Sequence, residues 1–174
     1  MALVARHAIR PEDLEEIVVN VTPTAKNFAV GQPFRLGPVP QINAAFSLQY
    51  TVASAFLRRG MHLEHFTDEA IRDPEVLEIV NKVRLASTVP PETPHGAVVT
   101  IRTRQGKEYE ARVDTPKGSD TFTPLSRAEK REKFRTNVAF GGTVEAEKAE
   151  EVLELLERIE EIDDVRKIVK LLVP

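Results

Sequence analysis

At 174 residues the chain is long enough for one sizeable core, or for two small ones. An apolar share of 41% beside a charged share of 29% reads as an ordinary globular protein, and a net charge of −3 argues against a nucleic-acid binder. With no cysteine, the chain has no disulfides, no thiolate metal site and no cysteine nucleophile. No apolar run approaches the roughly 18 residues that span a bilayer. The start, Met-Ala-Leu-Val-Ala-Arg-His, has no secretory signature, so a cytoplasmic location and no membrane partner are expected.

In chain order, Arg10 to Asp13 reads as a turn. Ile17, Val19 and Val21 then alternate with Val18 and Asn20 as a strand, which Pro23 ends. Residues 24 to 42 carry Gly31, Pro33, Gly37, Pro38 and Pro40, and read as an irregular connector. Asn43 to Gly60 is nearly charge-free until Arg58 and Arg59. It predicts one helix buried all round, with Asn43 as N-cap and Gly60 just past its end. A second helical region starts near Thr67, and Asp73-Pro74 marks a helix start. A strand is expected over Arg84 to Val89. A hairpin follows, with Val99, Ile101 and Thr103 facing Tyr109, Ala111 and Val113 across Gln105-Gly106.

Asp114 to Pro124 reads as a loop, and Ser126 with Glu129 as a capping box. The helix it opens is expected to run to about Phe140 and break at Gly141-Gly142. The last helix is expected to begin after Thr143, with Ala149, Val152, Leu153, Leu156, Ile159 and Ile162 on one face. The fold class is therefore α+β: a small, mostly antiparallel sheet with helices on one face, followed by C-terminal helices. Residues 1–124 form the α+β domain and residues 125–174 the helical segment.

Few residues carry chemistry. His62 and His65 are spaced for one helical turn, but no third ligand accompanies them, and they read as surface or supporting histidines rather than a metal site. The basic interval from Arg102 to Arg135 lacks interleaved aromatics. It reads as a solvated face, or as the partner of the acidic last helix. Ser47 and Ser54 have no histidine base at a predictable spacing. Nothing calls for a cofactor or a metal. Tyr50 stays open. Its phenol either makes a structural hydrogen bond in the core, or is presented from a rigid helix into a cleft where it donates to a carboxylate or moves a proton.

Asn43-Ala-Ala-Phe-Ser-Leu-Gln-Tyr50 with its apolar continuation to Gly60 resembles the MmgE/PrpD family, which includes 2-methylcitrate dehydratase and cis-aconitate decarboxylase. The resemblance continues in order through Phe66, Asp73-Pro74, the hairpin at Gly106, Pro124-Leu-Ser126, Lys133-Phe134 and the acidic-faced last helix. It covers the chain from about Ala8 to the end. It implies a lyase that removes water or carbon dioxide from small tricarboxylates without an iron–sulfur cluster. It also implies an α+β lid domain that closes over an active site held mainly by a larger helical domain, to which the C-terminus returns.

Of the family's active-site residues the resemblance carries over one, the lid tyrosine, at Tyr50. His7 does not fall at the catalytic histidine's place, and Arg58-Arg59 departs from the less basic sequence usual there. The implied function is a C-terminal fragment or split subunit of such a lyase, inactive alone. Its implied partners are a small tricarboxylate, a complementary helical-domain chain and further copies of itself. The alternative is a stand-alone interaction or small-ligand-binding module derived from the lid.

Overall fold

A computed structural model describes residues 2–93, 95–119 and 122–173. The chain divides into two compact units, Met1–Pro116 and Lys117–Pro174.

The first unit opens with α1 (Ala2–His7) and a 3₁₀ turn at Pro11–Asp13. Strand β1 (Leu14–Asn20) follows. A bulge between Leu14 and Glu16 lets Leu14 and Ile17 both face the core despite their odd spacing. The connector is more regular than its prolines and glycines suggest. Thr22 accepts a hydrogen bond from the Ala25 amide, and Pro23 supplies the first residue of α2 (Pro23–Asn27).

The segment expected as one helix is two: α3 (Pro40–Ala45) and α4 (Leu48–Arg58). Pro40 starts the first of these before Asn43, so Asn43 is not a cap. Ser47 breaks the run, because its hydroxyl accepts the Tyr50 amide at 3.2 Å instead of letting the helix continue. Nor is the segment buried all round: Phe46 is 55% exposed. Arg59, not Gly60, takes the left-handed position that ends α4, with φ of 60°. Its Nη2 donates to the Ile9 carbonyl at 2.8 Å, which holds it there.

Two short helices, α5 (Asp68–Arg72) and α6 (Pro74–Val80), precede strand β2 (Val83–Ala86). Asp73 caps α6 as the sequence predicts, accepting the Glu75 amide at 3.0 Å. The hairpin is β3 (Ala97–Thr103) and β4 (Glu108–Val113), and Gly106 supplies the positive φ its turn needs. The strand order is β2-β1-β3-β4, with β1–β2 parallel and the other pairs antiparallel. Val83, Ile17, Ile101 and Tyr109 align across one face. There they share a core with Tyr50, Ala53 and Phe56 of α4 and Val76, Ile79 and Val80 of α6. The other face carries the ion pairs Glu16–Arg102 and Arg102–Glu108.

In the second unit Ser126 and Glu129 form the expected capping box at the start of α7 (Arg127–Gly141), and Gly142 ends it with φ of 62°. Asp120 and Thr121, in the loop expected before it, lie outside the described residues. The last helix is shorter than predicted. Helix α8 (Ala146–Leu156) stops before Ile159, which sits exposed in a 3₁₀ turn, and α9 (Arg166–Leu172) follows. Asp163 and Asp164, poor helix-interior residues, stand just before α9. The Asp164 carboxylate accepts the Arg166 amide at 3.0 Å and starts a new helix. Ala149, Val152, Leu153 and Ile168 are the buried hydrophobics of this unit. Among the described residues no helix is long and apolar enough to cross a membrane.

Candidate functional site

Tyr50 lies on the inner face of α4, with its side chain fully buried at 0% exposure. Its ring sits between Phe34 and Phe66, at centroid distances of 5.2 and 5.9 Å. The phenol donates to the His65 backbone carbonyl, and the Ala70 carbonyl lies 3.4 Å from the same oxygen.

The third contact of that oxygen is Arg58, whose Nη1 donates to it at 3.4 Å and to Ser54 Oγ at 3.1 Å. Nη2 of Arg58 donates to the Ala70 carbonyl at 2.7 Å and to the Asp73 carboxylate at 3.1 Å. Tyr50, Ser54 and Arg58 therefore form one stripe of α4, each four residues from the next. Neither Arg58 nor Ser54 stands out in the sequence as a partner of Tyr50. The spacing of four was the signal available.

An open cleft of about 590 Å³ is bounded by the connector and by α3, and buried Tyr50 does not line it. Its walls include Gln32, Phe34, Arg35, Ile42, Asn43 and Phe46. Phe34 separates cleft from tyrosine, since it lines the one and packs on the other. Ser47 likewise lines the cleft while capping the helix that carries Tyr50. Ile42 and Phe46, both more than half exposed, give the cleft wall apolar surface.

His62 and His65 do not form a metal centre. The His62 backbone amide donates to His65 Nδ1 at 3.2 Å, which uses that nitrogen's lone pair. Burial, and secondarily the charge of Arg58, lowers the pKa of His65. Among the described residues no group of three or more His, Cys, Asp or Glu is placed to hold a metal ion. His7 stacks on Tyr109 at 4.3 Å. The basic interval is largely neutralised. Arg112 pairs with Asp114, Lys117 with Glu129, and Arg131 and Arg135 with Glu150.

A four-stranded mixed sheet backed by helices, with an open cleft beside α3, defines an α+β domain. The model of the MmgE/PrpD C-terminal domain matches residues 1–161, and the chain belongs to the MmgE/PrpD family. It is 30% identical over 142 residues to the cis-aconitate decarboxylase of Homo sapiens. That alignment covers 79% of this chain and 28% of the human protein, so the chain corresponds to less than a third of its relative's length.

Proposed function

We propose that this chain is the lid-bearing C-terminal part of a cytoplasmic lyase. The enzyme would dehydrate or decarboxylate small tricarboxylates, and the chain is inactive without a helical-domain partner. The observation that carries this reading is the cleft. Its walls offer a cation, amides and an apolar surface, but no histidine, lysine or carboxylate to act as base. Removal of a proton beside a carboxylate needs such a base, together with cationic stabilisation of the charge that develops. A half-site that binds and does not deprotonate fits a lid closing on a base held elsewhere. Exposed Ile42 and Phe46 in the cleft wall are the surface that closure would cover.

In this reading Tyr50 positions substrate through the wall in front of it. Its ring backs Phe34, and its hydroxyl fixes the turn at His65. The working enzyme is an oligomer of paired halves.

The test is reconstitution. The chain is co-expressed with the N-terminal helical half of a family enzyme, and cis-aconitate and 2-methylcitrate are followed by proton NMR. Turnover by the pair, with none by either half, is expected. Failure of the assembled pair to turn over any tricarboxylate would sink the reading. A second reading, a free-standing small-ligand-binding module, is favoured by the fact that the cleft is built entirely from residues 29–47.

A further inference from the structure

We infer that Arg35 grips the carboxylate of a small organic acid in the cleft between residues 29–37 and α3. The inference rests on the lyase reading for the identity of that acid as a tricarboxylate, and on the cleft itself for everything else.

Arg35 sits on a backbone fixed on both sides. The preceding Phe34 amide donates to Gln49 Oε1 at 2.8 Å. The following Leu36 carbonyl accepts from Asn43 Nδ2 at 3.1 Å. Gly37 then turns the chain with φ of +57°, so close to Asn43 that a Cβ there would lie 2.4 Å from its Nδ2. A guanidinium presented from an anchored backbone loses less freedom when it binds than one on a loose loop.

The arginine is also available. Its side chain lines the cleft, and among the described residues it has no ion pair and no side-chain hydrogen bond. Arg58 and Arg102 are committed to carboxylates of the protein. Among the described residues no acidic side chain lines the cleft, and the sequence holds none between Glu16 and Glu64. Asp68, which the fold brings to α3, is already held by Gln41 at 2.8 Å and Arg72 at 3.5 Å. The cleft is therefore a locally positive concavity with nothing of its own to neutralise it.

The remaining walls say what accompanies the charge. Phe34, Ile42 and Phe46 suit a short carbon skeleton, and Gln32 offers an amide. A volume of about 590 Å³ suits a small organic acid. Arginine matches a carboxylate with two parallel N–H donors, a geometry that lysine lacks.

The experiment uses the whole ¹⁵N-labelled chain, titrated at low ionic strength with citrate and with its neutral trimethyl ester. Citrate is expected to give saturable amide shifts confined to residues 32–47, and the ester none. Arg35→Ala should weaken citrate by about tenfold or more, and Arg35→Lys by less. The amide spectrum of each variant reports whether it is folded. Unchanged citrate affinity in Arg35→Ala, no saturable shift at these amides, or equal binding of the ester overturns the assignment. Turnover by the reconstituted pair with a KM indifferent to Arg35 keeps the lyase reading and removes this one. Arg35-dependent citrate binding without turnover does the reverse.

Discussion

Arg58 donates to the phenol oxygen of Tyr50 at 3.4 Å from two turns further along the same helix, while its other terminal nitrogen holds Asp73 at 3.1 Å. A guanidinium has only donors, so the phenol must send its own proton elsewhere, and it goes to the His65 carbonyl. One buried stripe of α4 thereby ties down the 3₁₀ turn at Leu63–Phe66 and the caps of α5 and α6. Tyr50→Phe, which keeps the ring, is expected to destabilise the fold by about 1–2 kcal/mol through the orphaned carbonyl and guanidinium. Arg58→Leu should lose about 2 kcal/mol, because Ser54 and Ala70 lose their donor and Asp73 its counter-ion. The double variant, followed by urea unfolding, should lose less than the two singles added, by at least about 0.5 kcal/mol. Strict additivity would mean that the two side chains share no energy.

Gly37 tests the wall of the cleft. Alanine there must adopt a left-handed backbone and push on the Asn43 amide, which in turn holds the Leu36 carbonyl. Gly37→Ala is expected to destabilise by about 1–2 kcal/mol. It should also shift the side-chain amide resonances of Asn43, leaving those of Asn20 on the sheet unmoved. A variant as stable as the parent, with Asn43 undisturbed, would show that this turn does not need its glycine.

What the sequence disclosed was local chemistry. Asp73-Pro74, Ser126 with Glu129, and Gly142 each act through hydrogen bonds or backbone angles within a few residues, and each sits where its neighbours predict. The alternation of Ile17, Val19, Ile101 and Tyr109 likewise fixed the inner face of the sheet. What stayed hidden depends on partners far along the chain. Asn43 looked like a cap because its amide's target, Leu36, becomes its neighbour only once the connector folds back. Phe46 looked like core because composition cannot tell a buried apolar residue from one at the rim of a cleft. Tyr50 was visible as a residue, but Arg58, which fixes its proton, was hidden behind its other plausible use at a helix end.

His65 gives a pH dependence with a definite sign. Its Nδ1 must stay unprotonated to accept the His62 amide, and burial beside Arg58 holds its pKa below the ordinary imidazole value. The folded state thus binds this proton less readily than the unfolded state. Stability should be full above the ordinary histidine range and fall as pH drops through about 6.5 toward the lower folded value. Thermal melts between pH 7.5 and pH 5.5, as rough limits set by that range, should show the fall. His65→Asn, whose side-chain oxygen can take over the acceptor role, should flatten it. A parent Tm that rises on acidification would contradict the hydrogen bond.

The second unit should respond to acid and salt through a different set of groups. Glu157 accepts from Arg127 and Arg131, and Glu150 accepts from Arg135 and Arg131, which lace α8 to α7. These hydrogen bonds hold both carboxyls well below their ordinary range, at about 2. Because the folded pKa is depressed, the contribution is complete above the ordinary carboxylate range near 4.5. It disappears as pH falls through that range toward about 2. The groups face water, so screening limits the size of the effect, and the direction and the site are what the measurement reads. Carbon-13 titration of the glutamate carboxyls should place Glu150 and Glu157 well below the ordinary glutamate range. Acid-induced loss of helical circular dichroism should begin at higher pH in about 1 M salt, where the Debye length is only about 3 Å. Glu150→Gln should remove part of the acid transition, because Arg135 then has no carboxylate to lose. Glu150 and Glu157 titrating in the ordinary glutamate range near 4.5 would mean that the ladder between α7 and α8 does not persist in solution.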